Sequence, residues 1–218
     1  MLFFDMEFAN GKIPGSIYSL GYVMTDENFT VIGQPTDILM NPDAPWNEYV
    51  EANILAYPKE EVEAAPKFPE LYQTVCELFD EADIAVGFAV NNDVRALRKN
   101  CERYGLEPIR FRTLDMEKLC RKQEEHKTAH GLGGYVSAWC GEEPDNRHRS
   151  DGDALATMML FRAICQAKHV TPDMMLTVYP ECCISSLATA KKVQKKPVKK
   201  RRRRRTKAKK EQTKEVQG

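Results

Sequence analysis

The chain lacks the marks of a membrane, secreted or zinc-binding protein. No apolar run approaches the roughly 18–20 residues needed to span a bilayer. A signal peptide is not expected, because no basic stretch precedes the opening run MLFF and Asp5 and Glu7 interrupt it. Paired C-x-x-C spacing is missing, and the seven cysteines (76, 101, 120, 140, 165, 182 and 183) are odd in number. Neither a disulfide framework nor a zinc site is indicated, and reduced thiols in a cytoplasmic protein fit best. Internal repeats are absent too.

Net charge is also lacking, with 32 Lys and Arg against 32 Asp and Glu, but the balance conceals a division. Residues 191–218 hold 15 Lys and Arg against two Glu, leaving 17 basic and 30 acidic side chains for the rest. An acidic body therefore precedes a basic arm, an asymmetry that suggests a polyanionic partner. The length and the 42% hydrophobic content suit one domain with a real core, expected over residues 1–180. Residues 181–218 read as a helix end and a disordered Lys/Arg-rich tail, since the tail has few apolar groups and repels itself. Such a block attracts phosphate backbones with a steep salt dependence, and Arg201 and Arg203 are candidate contacts. A solubilising extension is the weaker alternative, and the same string would pass as a nuclear localisation signal.

Strands are expected over 1–8, 16–26, 29–40, 83–90 and 109–115. Helices are expected over 70–82, 91–105, 116–123, 129–141 and 151–168, with a further helix over 172–190. The stretch 41–67, rich in proline, reads as a long surface connection with a helical turn near 59–65. A meander followed by alternating strands and helices implies an α/β fold: a central mixed five-stranded sheet flanked by helices.

The first strand, LFFDMEF, holds an anomaly. Strand side chains alternate faces, so Phe4, Met6 and Phe8 share one face and Phe3, Asp5 and Glu7 the other. Two carboxylates about 7 Å apart along one face of an apolar strand repel in a low dielectric unless a cation lies between them. An edge strand with one wet face explains them as well. Further along, Asp93 opens a helix after an apolar strand, and His148 and Asp153 stand as His-x4-Asp running into the late helix. Each has a plain reading. Asp93 complements a helix dipole, Ser150-x-x-Asp153 forms a capping box with Ser150 as N-cap, and His148 is a loop residue.

The ordered set D-x-E, D, H-x4-D resembles the DEDDh 3′→5′ exonucleases, the family of the DNA polymerase III proofreading subunit, ribonuclease T and oligoribonuclease. The resemblance covers roughly residues 1–168 and implies a ribonuclease H-like fold. It implies that Asp5, Glu7, Asp93 and Asp153 hold two Mg²⁺ or Mn²⁺ ions, with Asp5 bridging, and that His148 is the general base. The implied activity is hydrolysis of single-stranded DNA or RNA from the 3′ end to nucleoside 5′-monophosphates. Leu114-Asp115 matches a strand-to-helix junction of the family. Three places depart from it: Phe8-Ala9-Asn10-Gly11 after the first motif, Phe88-Ala89 where His-Asn is common, and Leu55-Ala56-Tyr57 before Pro58. Phe8 and Tyr57 are candidates to stack on a terminal base, and core packing is the alternative for each. A non-catalytic nucleic-acid-binding or ribosome-docking protein on the same scaffold is the rival reading. Association with a polymerase in trans, the choice between DNA and RNA, and the oligomeric state stay open.

Overall fold

A computed structural model describes residues 1–142 and 149–187. His148, Arg201, Arg203 and the tail predicted to be disordered lie outside the described residues.

Three strands open the fold as an antiparallel meander: β1 (Leu2–Phe8), β2 (Ile17–Thr25) and β3 (Val31–Leu39). Three helices follow, α1 (Glu48–Asn53), α2 (Lys59–Ala64) and α3 (Phe68–Asp80). The chain then alternates through β4 (Ala85–Gly87), α4 (Asn91–Tyr104), β5 (Arg112–Asp115) and α5 (Met116–Lys122). Helices α6 (Gly131–Cys140), α7 (Ser150–Lys168) and α8 (Pro172–Val178) come next, and a 3-10 turn at Pro180–Cys182 leads into β6 (Cys183–Ser185). The strands form one sheet in the order β3-β2-β1-β4-β5-β6, parallel between β1, β4 and β5 and antiparallel elsewhere.

The parity read from β1 sorts the two cores. Leu2, Phe4 and Met6 pack on one face with Val75, Leu78 and Phe79 of α3 and Leu97 and Cys101 of α4. Phe3 points to the other face, into a core with Val23, Phe29 and the α7 residues Leu160, Phe161 and Ile164. The rings of Phe3, Phe29 and Phe161 lie 5.6–6.3 Å apart, a tilted and edge-on arrangement that suits their quadrupoles.

Three expectations are corrected. The helix predicted over 172–190 stops at Val178, and β6 pairs with the outer edge of β5, so the sheet has six strands and extends past residue 180. Pro180 cannot continue the helix, and β5 offers an unpaired edge. Within the proline-rich connection, Asn47 caps an unforeseen helix, α1, by accepting from the Tyr49 and Val50 amides. Ser150 is not an N-cap: Arg149 holds that position and Ser150 is the first residue of α7. At the far edge of the sheet, residues 31–34 of β3 are exposed, Gly33 lies at φ +79° and Pro35 has no N–H to offer.

Candidate active site

Beyond Phe3, the α7 face of β1 turns acidic. Asp5 and Glu7 project there, and the first turn of α7 adds Asp153. One carboxylate oxygen from each of the three lies within 4.8 Å of the others, and all three side chains are half-buried. Asp93 occupies the first turn of α4, directly after the β4 connection, and is 5% exposed. Its charge is the leading one acting on Asp5, and the charge of Glu7 leads those acting on Asp93.

These acids resist ionisation together. Burial, then the charges of Asp93, Asp153 and Glu7, push the Asp5 carboxyl well above the ordinary carboxylate range. Burial, then Asp153 and Asp37, raises Glu7 from 4.5 to about 8. Burial, then Glu7 and Asp115, holds Asp93 high as well. Converging carboxylates of this kind share protons or a cation. The donor set is oxygen only, which suits hard divalent ions such as Mg²⁺ or Mn²⁺ over soft metals.

The sheet register explains how α7 reaches this place. Asp5 pairs with Gly21, and Gly21 pairs with Asp37, so the three stand in one row across β1, β2 and β3. A Cβ at Gly21 would overlap the backbone of Ser150 and Asp151, so glycine lets the start of α7 rest directly on β2. The Asp37 carboxylate then accepts from the Ser150 hydroxyl at 2.7 Å and the Asp151 amide at 2.9 Å. Ser19, opposite Glu7 in the register, lies 3.2 Å from the same oxygen and against the Ser150 hydroxyl. The Tyr57 hydroxyl donates to the second Asp37 oxygen, and the Arg149 guanidinium stands 5.1 Å from the Tyr57 ring centre.

Asp115 organises the other flank. It caps α5 through the Glu117 and Lys118 amides and also accepts the Ala89 N–H at 3.2 Å. That bond holds Ala89 at φ +57°, in the turn between β4 and α4. Phe8, Asn10, Ile13, Pro14, Asn92 and Arg95 line a cleft whose walls continue directly from Glu7 and Asp93 in the chain.

Of the residues singled out in the sequence, Asp5, Glu7 and Asp153 thus come together, the charge of buried Asp93 acts on Asp5, and Phe8 lines the cleft with Asn92 and Arg95. Tyr57 reaches Asp37 instead of lying in that cleft. Asp37, Ser19 and Arg149 had not been anticipated. Their one sequence signal is an acid at the apolar end of β3, in TDILM.

An exonuclease family model, RNase_T, matches residues 2–161. The chain belongs to this exonuclease family. Solved structures agree on the fold. A 3′-exonuclease that recognises the 3′ end of a histone mRNA stem-loop superposes with a TM-score of 0.65 at 11% identity, over 78% of this chain and 83% of its own. The nuclease domain of 3′hExo, a DEDDh family member bound to rAMP, gives 0.63 at 13% identity, over 76% of this chain and 90% of its own. E. coli exonuclease I in complex with a dA16 oligonucleotide gives 0.66 at 19% identity, over 82% of this chain but 42% of its own. A search of curated proteins found no match. The exonuclease domain therefore has the ribonuclease H-like architecture that the motif order implies, and among its described residues no helix is long and apolar enough to cross a membrane.

Proposed function

We propose that this exonuclease-family chain is a metal-dependent 3′→5′ exonuclease that hydrolyses single-stranded DNA or RNA to nucleoside 5′-monophosphates. The observation that carries the reading is the convergence of Asp5, Glu7 and Asp153 within 4.8 Å. Asp5, Glu7, Asp93 and Asp153 would hold two Mg²⁺ or Mn²⁺ ions. When bound, such a pair lowers the pKa of a water and stabilises the leaving 3′-oxygen.

The chain's own groups supply the rest. His148, on the approach to α7, takes the proton of the attacking water on an imidazole nitrogen, a role worth about 10²–10⁴-fold. The cleft lined by Phe8 and Arg95 receives the terminal nucleotide, with the Phe8 ring available for stacking and Arg95 for a phosphate oxygen. Tyr57 contributes from the flank, through its ring and through Asp37. The basic tail, including Arg201 and Arg203, adds affinity for the backbone of longer substrates. Removing residues 191–218 should weaken binding and flatten its salt dependence while sparing hydrolysis of very short oligomers. A cytoplasmic location fits the seven free thiols.

The test is incubation with 5′-labelled single-stranded DNA and RNA in Mg²⁺, Mn²⁺ or EDTA, beside Asp5→Asn. A ladder shortening from the 3′ end, with metal and wild type only, is expected. Salt-sensitive binding with no shortening of either polymer would replace the enzyme by a non-catalytic binding module.

A further inference from the structure

We propose that Asp37 is a positioning residue for the metal site: its buried carboxylate fixes the first turn of α7 on the sheet and so sets Asp153 against Asp5 and Glu7. The proposal rests on reading those three acids as a metal site.

Asp37 has the surroundings of a clamp and not of a ligand. Its side chain is 6% exposed. One oxygen meets the Ser150 hydroxyl at 2.7 Å, the Asp151 amide at 2.9 Å and the Ser19 hydroxyl at 3.2 Å. The other accepts from Tyr57 and faces an Arg149 nitrogen at 3.6 Å. With donors on both oxygens, it has little capacity left for a cation. Among the described residues it is absent from the group that could hold one.

What it grips is the part of α7 that must be placed. The first four amides of a helix have no partner within it, and Asp37 satisfies that of Asp151. A negative group there also complements the helix dipole. Gly21 supplies the contact surface, and Asp37 pins the peptide seated on it from the β3 side. Asp153 follows two residues later in the same turn, so a shift of Ser150 and Asp151 carries Asp153 with it. Tyr57 extends the grip to the segment between β3 and α3, which packs Trp46, Val50, Leu55 and Tyr57 around Tyr18 and Val62. Groups that orient ligands without touching the ion typically change metal affinity by about 10–100-fold when removed.

The experiment compares wild type, Asp37→Ala and Asp37→Asn as full-length protein. Mn²⁺ affinity is measured by electron paramagnetic resonance well below each thermal midpoint, and Tm is measured separately in EDTA. Asp37→Asn keeps an acceptor oxygen for Ser150 and Asp151, whereas Asp37→Ala removes it. The expected result is Mn²⁺ affinity lowered about 10–100-fold in Asp37→Ala, with most of the loss recovered in Asp37→Asn. A lower Tm with unchanged Mn²⁺ affinity in Asp37→Ala would assign Asp37 a purely structural part and overturn the proposal. Should Asp37→Ala fail to fold, Ser150→Ala takes its place, and unchanged Mn²⁺ affinity there overturns the proposal equally. Wild-type protein that binds no Mn²⁺ overturns the metal-site reading itself, an outcome distinct from equal binding by wild type and variant.

Discussion

The two ends of the interface between α7 and the sheet are built from opposite materials. At one end Phe3, Val23, Phe29, Leu160 and Phe161 form a dry core, each less than a tenth exposed. At the other, along the same face of β1 and β2, stand Asp5, Glu7 and Ser19, joined by Asp37, Ser150 and Asp153. The dry end buries aromatic area and stabilises the fold. The polar end gathers carboxylates that would sooner be apart, and that cost is borne by the packing a few residues away. Stability and chemistry are thus segregated along one helix, and substitutions at the two ends should fail differently.

The largest separation is expected from Asp5→Asn. Metal-dependent hydrolysis should fall to background while the Tm of the metal-free protein holds or rises, because one of the mutually repelling acids is neutralised. Gel assays beside calorimetry in EDTA check both halves, and full activity in this variant would remove Asp5 from the chemistry. At the opposite end, Phe161→Ala should cost about 3–5 kcal/mol in denaturant unfolding, since Phe161 is wholly buried. Activity per folded molecule should be nearly unchanged. Gly21→Ala, in the row of Asp5 and Asp37, should disturb both stability and the site, costing about 1–3 kcal/mol by overpacking and lowering Mn²⁺ affinity by displacing Ser150 and Asp151. A variant that lost stability alone would show that α7 can lift from β2 without moving Asp153.

The smallest effect is in pH. Glu7 has a folded-state pKa of about 8 against an ordinary 4.5. A carboxyl raised in this way contributes most to stability below the unfolded value and loses that contribution as pH climbs toward the folded one. The metal-free Tm should therefore fall across that window, and Glu7→Gln should flatten the decline. Mn²⁺, which displaces the protons, should raise Tm more at pH 8 than at pH 5. Equal stabilisation at both pH values would argue that the ion binds away from Glu7.

The acidic end was legible where local periodicity governs it. Alternation along LFFDMEF places Asp5 and Glu7 together on one face whatever the rest of the chain does, and the packing of Phe3 and Phe4 on opposite faces agrees. Asp153 was legible because it completes the ordered D-x-E, D, H-x4-D set that resembles the exonuclease family, in the first turn of a long helix. Asp37 was not. Its partners Ser150 and Asp151 are 113 and 114 residues away, and only the strand register and Gly21 bring them together. The capping box assigned to Ser150 failed for the same reason: a distant carboxylate claims its hydroxyl. Strand β6 was illegible because three residues, Cys183–Ser185, carry no period, and only the open edge of β5 makes them a strand.

The β3 edge has a colloidal consequence. A sheet that ends in an unpaired strand invites another copy to add its own, and the exposed Val31 and Ile32 would reward the encounter. The kink at Gly33 and the missing donor at Pro35 break the row of groups such a partner would need. The β3 edge, though exposed and partly apolar, is thereby a poor template for strand addition by a second copy.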